Sequence, residues 1–207
     1  MTLYYSQSNV GFYDDQIHSR LPEDAVAISL EQHAALLAGQ SNGQVIMPGK
    51  NGKPVLADPA PCPSSTWDGT QWQIDPECAA RLKAEQQDEM WERIKAKRAQ
   101  SRHAGIYINS LKKWMHSDAD SRMQYTFLRT LDKLPEDQLW KTVDNSFVPM
   151  TRELLDELTL KLISDEQHDF QNAERHKAAM LKAENPLDYD YSGGWSAADL
   201  MKEAANG

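Results

Sequence analysis

Three residues of metal-ligand type, His116, Asp118 and Asp120, fall within five positions of one another. Imidazole and carboxylate groups do hold divalent metals, but the place of these three offers a simpler reading. A helix beginning here wants acids at its positive end, where unpaired N–H groups favour negative charge, and that requires no metal. A second set, His168, Asp169, Glu174 and His176, contains neither a His-Glu-x-x-His arrangement nor a histidine pair four residues apart. The sequence also lacks a Gly-x-Ser-x-Gly elbow and a glycine-rich phosphate loop. These residues therefore predict no catalytic site, no metal and no cofactor, and the chain reads as something other than an enzyme.

The remaining residues with chemistry are two cysteines and a set of aromatics. Cys62 and Cys78, with fifteen residues between them, fall in a linker stretch, without the second pair that a zinc site or a disulfide framework needs. They read as free thiols of a reducing compartment, with a Cys62–Cys78 disulfide as the alternative. Tyr4, Tyr5, Phe12 and Tyr13 lie in two short aromatic runs. Alternation along a strand puts one residue of each adjacent pair in the core and leaves the other facing out as an interface candidate. Trp67 and Trp72 flank an Asp-Gly turn and read either as anchors for a partner or as lids on the edge of the core.

The elements that must carry these residues change character along the chain. Residues 1 to 60 contain five short strand-like runs, at Leu3–Tyr5, Gly11–Tyr13, Ala25–Ile28, Val45–Met47 and Pro54–Leu56. Asn51-Gly52 predicts a hairpin over 44–57, because both residues tolerate positive φ. Between the third and fourth runs, Ser29 and the helix-spaced apolar residues up to Ala38 predict a short helix stopped by Gly39. Residues 61–75 read as a linker with a small tryptophan ribbon, since Pro59, Pro61 and Pro63 interrupt regular structure. Residues 76–104 predict one long helix, so sparse in large apolar residues (Leu82, Met90, Trp91, Ile94) that it reads as a connector or coiled-coil arm.

Residues 105–195 read as a mostly helical α+β region. Its expected elements are a strand or hairpin over 106–115, a helix over 117–134 capped by Ser117 with Asp120, a hairpin around Asp144-Asn145, and a helix from Thr151 to about Ala183. Residues 196–207 form an alanine-rich tail with no assigned role. The whole is α+β: a small β-rich N-terminal domain, a linker and long helix, then a mostly helical C-terminal domain.

The net charge of -9 is unevenly spread. Residues 81–113 hold nine basic and four acidic residues, whereas residues 117–207 hold ten basic and eighteen acidic ones. The basic stretch lies on a helix with interleaved acids, which reads as a solvated face or as a complement to the acidic half, with no nucleic-acid partner expected. No apolar run is long enough to cross a membrane and the N-terminus carries no signal-peptide pattern, so a cytoplasmic protein without a membrane partner is expected.

Four blocks occur in order in the first sixty residues: Gly11-Phe12-Tyr13-Asp14-Asp15-Gln16-Ile17-His18, Pro22-Glu23-Asp24-Ala25-Val26, Leu36-Leu37-Ala38-Gly39-Gln40-Ser41, and Gly52-Lys53-Pro54-Val55-Leu56-Ala57-Asp58-Pro59. Together they resemble the tail-fibre assembly protein family of tailed phages. The resemblance implies a chaperone that binds a trimeric tail-fibre protein in the host bacterial cytoplasm and promotes its folding and trimerisation, in some members staying at the fibre tip. In that reading Tyr4, Tyr5, Phe12, Tyr13, Trp67 and Trp72 are the fibre-binding candidates. The alternative is a virion tip component that binds host cell-surface polysaccharide such as lipopolysaccharide. The C-terminal half resembles a module of unknown function attached to phage tail-fibre accessory proteins. That likeness rests on Trp114-Met115-His116-Ser117-Asp118-Ala119-Asp120-Ser121-Arg122, Trp140-Lys141-Thr142 with Phe147-Val148, Ala173-Glu174-Arg175-His176, and the ending Tyr189-Asp190-Tyr191-Ser192-Gly193-Gly194-Trp195.

Overall fold

The computed structural model describes residues 2–196, and the architecture is α+β, with four α-helices and several small antiparallel sheets among those residues. The expected tail, apart from Ser196, lies outside the described residues. The chain divides into two compact units, Met1–Leu82 and Lys83–Gly207.

In the first unit, β1 (Leu3–Ser6), β2 (Gly11–Asp14) and β3 (Val26–Ile28) form an antiparallel sheet with β1 in the centre. The register pairs Tyr4 with Tyr13 and Tyr5 with Phe12, so each cross-strand pair occupies its own face. Tyr5 is fully buried with Leu3, Ile28, Leu36 and Ile46, and Phe12 packs against that cluster. The Asp24 carboxylate ties the sheet's end to the following loop, accepting from Ser6 Oγ and the Ser8 amide, each at 2.8 Å.

Helix α1 (Leu30–Ser41) starts on the expected cap, with a full capping box between Ser29 and Gln32. Its end differs from expectation: Gly39 lies inside the helix, which closes on Asn42 and on Gly43 at φ +91°. Gly39 is present for packing, since a Cβ there would meet Leu56 Cδ2 at 2.7 Å and Gln44 Oε1 at 2.9 Å. The next strands, β4 (Val45–Pro48) and β5 (Pro54–Ala57), form the expected hairpin. Within its Asn-Gly pair only Gly52 takes positive φ; the Asn51 side chain accepts from the Lys53 amide at 3.1 Å instead.

The cysteines correct the expectation of free thiols, for Cys62 and Cys78 form a disulfide with Cα atoms 6.2 Å apart. The chain between them reverses where Trp67 pairs antiparallel with Trp72, and both cysteines lie in the interior, each 4% exposed. Local bonds aim them: Ser65 Oγ accepts from the Cys62 amide at 3.1 Å and Asp75 Oδ1 from the Cys78 amide at 2.7 Å. Spacing alone carries no sign of such a reversal.

Helix α2 (Pro76–Arg102) runs from the first unit into the second. It is more than a connector, because Met90 and Ile94 are buried in a cluster with Ala173, Met180 and Trp195. The hairpin of β8 (Ile106–Ile108) and β9 (Lys113–Met115) follows β6 and β7, the tryptophan ribbon of the first unit (Thr66–Trp67 and Trp72–Gln73). Then come α3 (Ala119–Thr130), the expected hairpin of β10 (Leu139–Lys141) and β11 (Phe147–Pro149), and α4 (Arg152–Met180), capped as expected by Thr151. Ile108, Met115, Tyr125, Leu154, Leu155 and Leu158 form the centre of the larger core.

Two helix boundaries depart from the reading of the sequence. Asp118, not Ser117, caps α3, accepting from the Ser121 amide at 2.9 Å. Ser117 is buried and seals the end of α2, its hydroxyl accepting from the Gly105 amide and donating to the Arg102 carbonyl. Helix α3 stops at Thr130 because Leu131 turns to an extended conformation, and its carbonyl accepts from Arg152 Nη2 at 2.6 Å.

Candidate functional site

Each aromatic candidate of the first unit has a definite position. Tyr5 belongs to the core and offers no surface; burial, with the nearby Asp24 charge, raises its phenol above the usual value. Phe12 shares that face, partly buried, with its ring edge-on to His33 at 4.6 Å. Tyr4 and Tyr13 lie half-buried on the opposite face, and Tyr13 Oη accepts from Asn9 Nδ2 at 3.0 Å. Of each adjacent pair, the outward member is therefore Tyr4 in one strand and Tyr13 in the other.

Trp67 and Trp72 pair across the ribbon, rings 5.3 Å apart and edge to face. Trp67 Nε1 donates to the Pro48 carbonyl at 2.7 Å and Trp72 Nε1 to the Asp58 carbonyl at 2.8 Å, fastening the ribbon to the two ends of the β4–β5 hairpin. Asp68 organises the turn. Its carboxylate accepts from the Gln71 amide, from the Thr70 hydroxyl and amide, and from Gln73 Nε2, which together hold it well below the usual carboxylate range. With their polar edges already bonded, the tryptophans present fixed, half-buried ring surface.

The same unit contains a feature that no sequence pattern announced, an apolar cleft of about 300 Å³ between α1 and β5. Ile28, Ala35, Leu36, Pro54, Val55 and Leu56 line it. Gly39 lets α1 lie close to Leu56.

In the two sets of metal-ligand type, the side chains of Asp118, His168, Asp169 and His176 are engaged in other bonds. Asp118 caps α3, and the bonds from Ser121 hold its carboxyl below the usual range. His116 contributes its carbonyl to Tyr125 Oη at 3.0 Å. In the other set, the His168 and His176 rings bond the Gly194 and Gly193 carbonyls, at 3.0 and 2.9 Å, while Asp169 accepts from the Ser196 amide and hydroxyl. These contacts clasp the Tyr189–Trp195 segment to α4. Gly194, at φ +74°, is required there because a Cβ would meet Asn172 Oδ1 at 2.7 Å. Among the described residues no group of three or more His, Cys, Asp or Glu side chains is arranged to hold a metal ion.

A family model described as a domain of unknown function, DUF4376, matches residues 85–193, more than half of the chain. The chain belongs to the DUF4376 family. The DUF4376 match begins close to the start of the second unit and ends within the segment clasped to α4. A "Probable tail fiber assembly protein" of Shigella phage SfV is 40% identical over 65 residues, covering 30% of this chain and 39% of that relative. The match thus spans well under half of the relative's length, and the chain is similar to a phage tail-fibre assembly protein over part of its sequence. No solved structure matches.

Proposed function

We propose that this chain is a non-enzymatic assembly factor for a phage or prophage tail fibre, acting in the host cytoplasm as a chaperone for fibre folding and trimerisation. The 40% identity over 65 residues to a "Probable tail fiber assembly protein" supports the assembly part of this reading. The geometry supports it, since Tyr4, Tyr13, Trp67 and Trp72 display pre-ordered aromatic surface, a type of side chain enriched at binding hot spots. Phe12 assists from beneath the sheet, and Tyr5 holds the sheet together. A fibre with threefold symmetry offers three equivalent surfaces, so one chain of this protein per fibre chain is the natural stoichiometry.

Co-expression is the test. The fibre should be soluble and trimeric with this chain and aggregated without it, and Trp67→Ala with Trp72→Ala should abolish the rescue. A fibre that trimerises equally well alone refutes the chaperone role. Light scattering on the complex should give equal numbers of the two chains; a single copy per fibre trimer would indicate a cap on the axis. The fixed tryptophan pair also favours a second reading, a tip protein whose rings stack on cell-surface polysaccharide. Glycan binding by the purified chain, lost in the tryptophan variants, would support that reading over the first.

A further inference from the structure

The second unit carries a groove between α3 and α4. Arg122, Thr126 and Arg129 recur at four and three residues along one face of α3, opposite Thr159, Ile163 and Glu166 at the same spacing on α4. Between the helices lies a cavity of about 370 Å³, with Leu162 in its wall and the side chain of Arg102, from the end of α2, at its rim.

Its charges are unbalanced. Arg102 and Arg122 share one carboxylate, Glu166, at long distances of 3.5 and 3.4 Å. Arg122 is held in place from below, its Nε donating to the Ser117 carbonyl at 2.8 Å and Nη2 to the Arg102 carbonyl at 2.9 Å. Burial and the neighbouring Arg102 charge both press Arg122 below the usual guanidinium value, as a crowded positive site requires. Arg129 meets Asp156 at 3.2 Å at the far end. Beside this basic lining, Ile163 is 60% exposed, an apolar group left in water within reach of the same cavity. The two threonine hydroxyls donate to carbonyls of their own helices, Thr126 to Arg122 and Thr159 to Leu155, so neither donor competes for an entering ligand.

We propose that the α3–α4 groove is a binding site for an acidic peptide segment, its carboxylate entering between Arg102 and Arg122 and a neighbouring apolar side chain covering Ile163 and Leu162. Charge complementarity selects this occupant: the groove gathers three guanidinium groups, those of Arg102, Arg122 and Arg129, against two paired carboxylates, Glu166 and Asp156. A carboxylate accepts two parallel bonds from a guanidinium, and at 3.4–3.5 Å Glu166 leaves both arginines room for a closer partner.

The experiment uses the full chain and a short, capped, fluorescent peptide of alternating glutamate and leucine, followed by anisotropy. The peptide should bind, weaken with added salt, and bind about ten-fold less tightly to Arg102→Gln, as loss of one charge-assisted contact implies. Arg102 suits the test because its side chain is half-exposed, and the less exposed Arg122, the other proposed contact, stays intact. Ile163→Asp should abolish binding. Equal binding of a peptide with glutamine in place of glutamate, or unchanged binding to both variants, would overturn the assignment. An acidic polysaccharide that outcompetes the peptide at the same residues would also overturn it, in favour of a glycan site. The glutamate-to-glutamine comparison needs no variant, so the test survives even if a substitution disturbs folding.

Discussion

The two units hold themselves together in opposite ways. The first has a small apolar cluster around Tyr5 and relies on local devices: a capping box, carboxylates that gather turn amides, a disulfide, and two indole N–H groups bonded to carbonyls. The second joins elements far apart in sequence, such as Ile94 with Met180 and Trp195, in two clusters, of which the one around Leu155 is the larger. Local devices fix a surface without consuming its aromatic faces, whereas long-range packing buries Met90, Ile94, Tyr125 and Trp195 while leaving Phe127, Phe147 and Ile163 exposed. An interaction role for the aromatic residues of the first unit is thus compatible with its stability, and the second unit's site is an arginine-lined groove rather than an aromatic patch.

The sharpest way to break this contrast is Trp195→Ala. Trp195 is 1% exposed, bonded through Nε1 to the Tyr191 carbonyl and stacked on His176 at 5.6 Å. Removing a buried indole costs about 3–5 kcal/mol, and hydrogen exchange should show the loss in α2 beyond residue 83 and in α4, with β1–β3 unchanged. Equal loss in both units would mean that they unfold as one.

Reduction of Cys62–Cys78 probes the other side. For a loop with a sequence separation of 16, the chain-entropy account gives about 3 kcal/mol. Reductant should raise exchange around the tryptophan ribbon and the start of α2, and leave the core around Leu155 protected. No change in the first unit would show that the ribbon's hydrogen bonds suffice without the bridge.

Much of the fold was legible because its signals are local. Ser29 and Thr151 as caps, Asp144-Asn145 as a turn, and the alternation of Tyr4-Tyr5 and Phe12-Tyr13 depend on neighbours a few residues away. What was misread depends on contacts distant in sequence. Asp118 rather than Ser117 caps α3 because Ser117 is recruited by Gly105 and Arg102; Met90 and Ile94 are core because Trp195 returns to cover them; the cysteines meet because the chain between them doubles back through the tryptophan ribbon. The groove was invisible for the same reason, since Arg102, Arg122 and Glu166 sit on three separate helices.

Gly39→Ala separates local from distant effects at one position. Alanine gains up to about 1 kcal/mol in helix propensity over glycine. Against that, the new Cβ would press on Leu56 and Gln44, and such overpacking costs about 1–3 kcal/mol. A net destabilisation of the first unit by about 1 kcal/mol is expected in urea titration; a stabilised variant would mean that Leu56 shifts freely into the adjoining cleft.

The smallest expected effect lies in the second unit and tests whether it too contains a purely local device. Asp118 accepts from both the amide and the hydroxyl of Ser121, bonds that favour the ionised carboxylate and lower its pKa from the ordinary 3.8. A group whose pKa falls on folding stabilises the native state above its unfolded value, and that contribution disappears as pH falls through the folded value. Asp118→Ala should therefore cost about 1 kcal/mol near neutral pH, a typical N-cap loss. The gap from the parent chain should narrow once the pH drops below about 4, where the carboxylate is protonated in the unfolded chain. Asp118→Asn, which keeps an accepting oxygen, should recover most of the loss at neutral pH and show little of this pH dependence. Because α3 also packs Tyr125 and Leu128 into the core, the helix itself should persist in both variants, with extra exchange confined to its first turn. Melting of all of α3 in Asp118→Ala would show instead that the cap, and not the long-range core, holds this side of the arginine-lined groove in place.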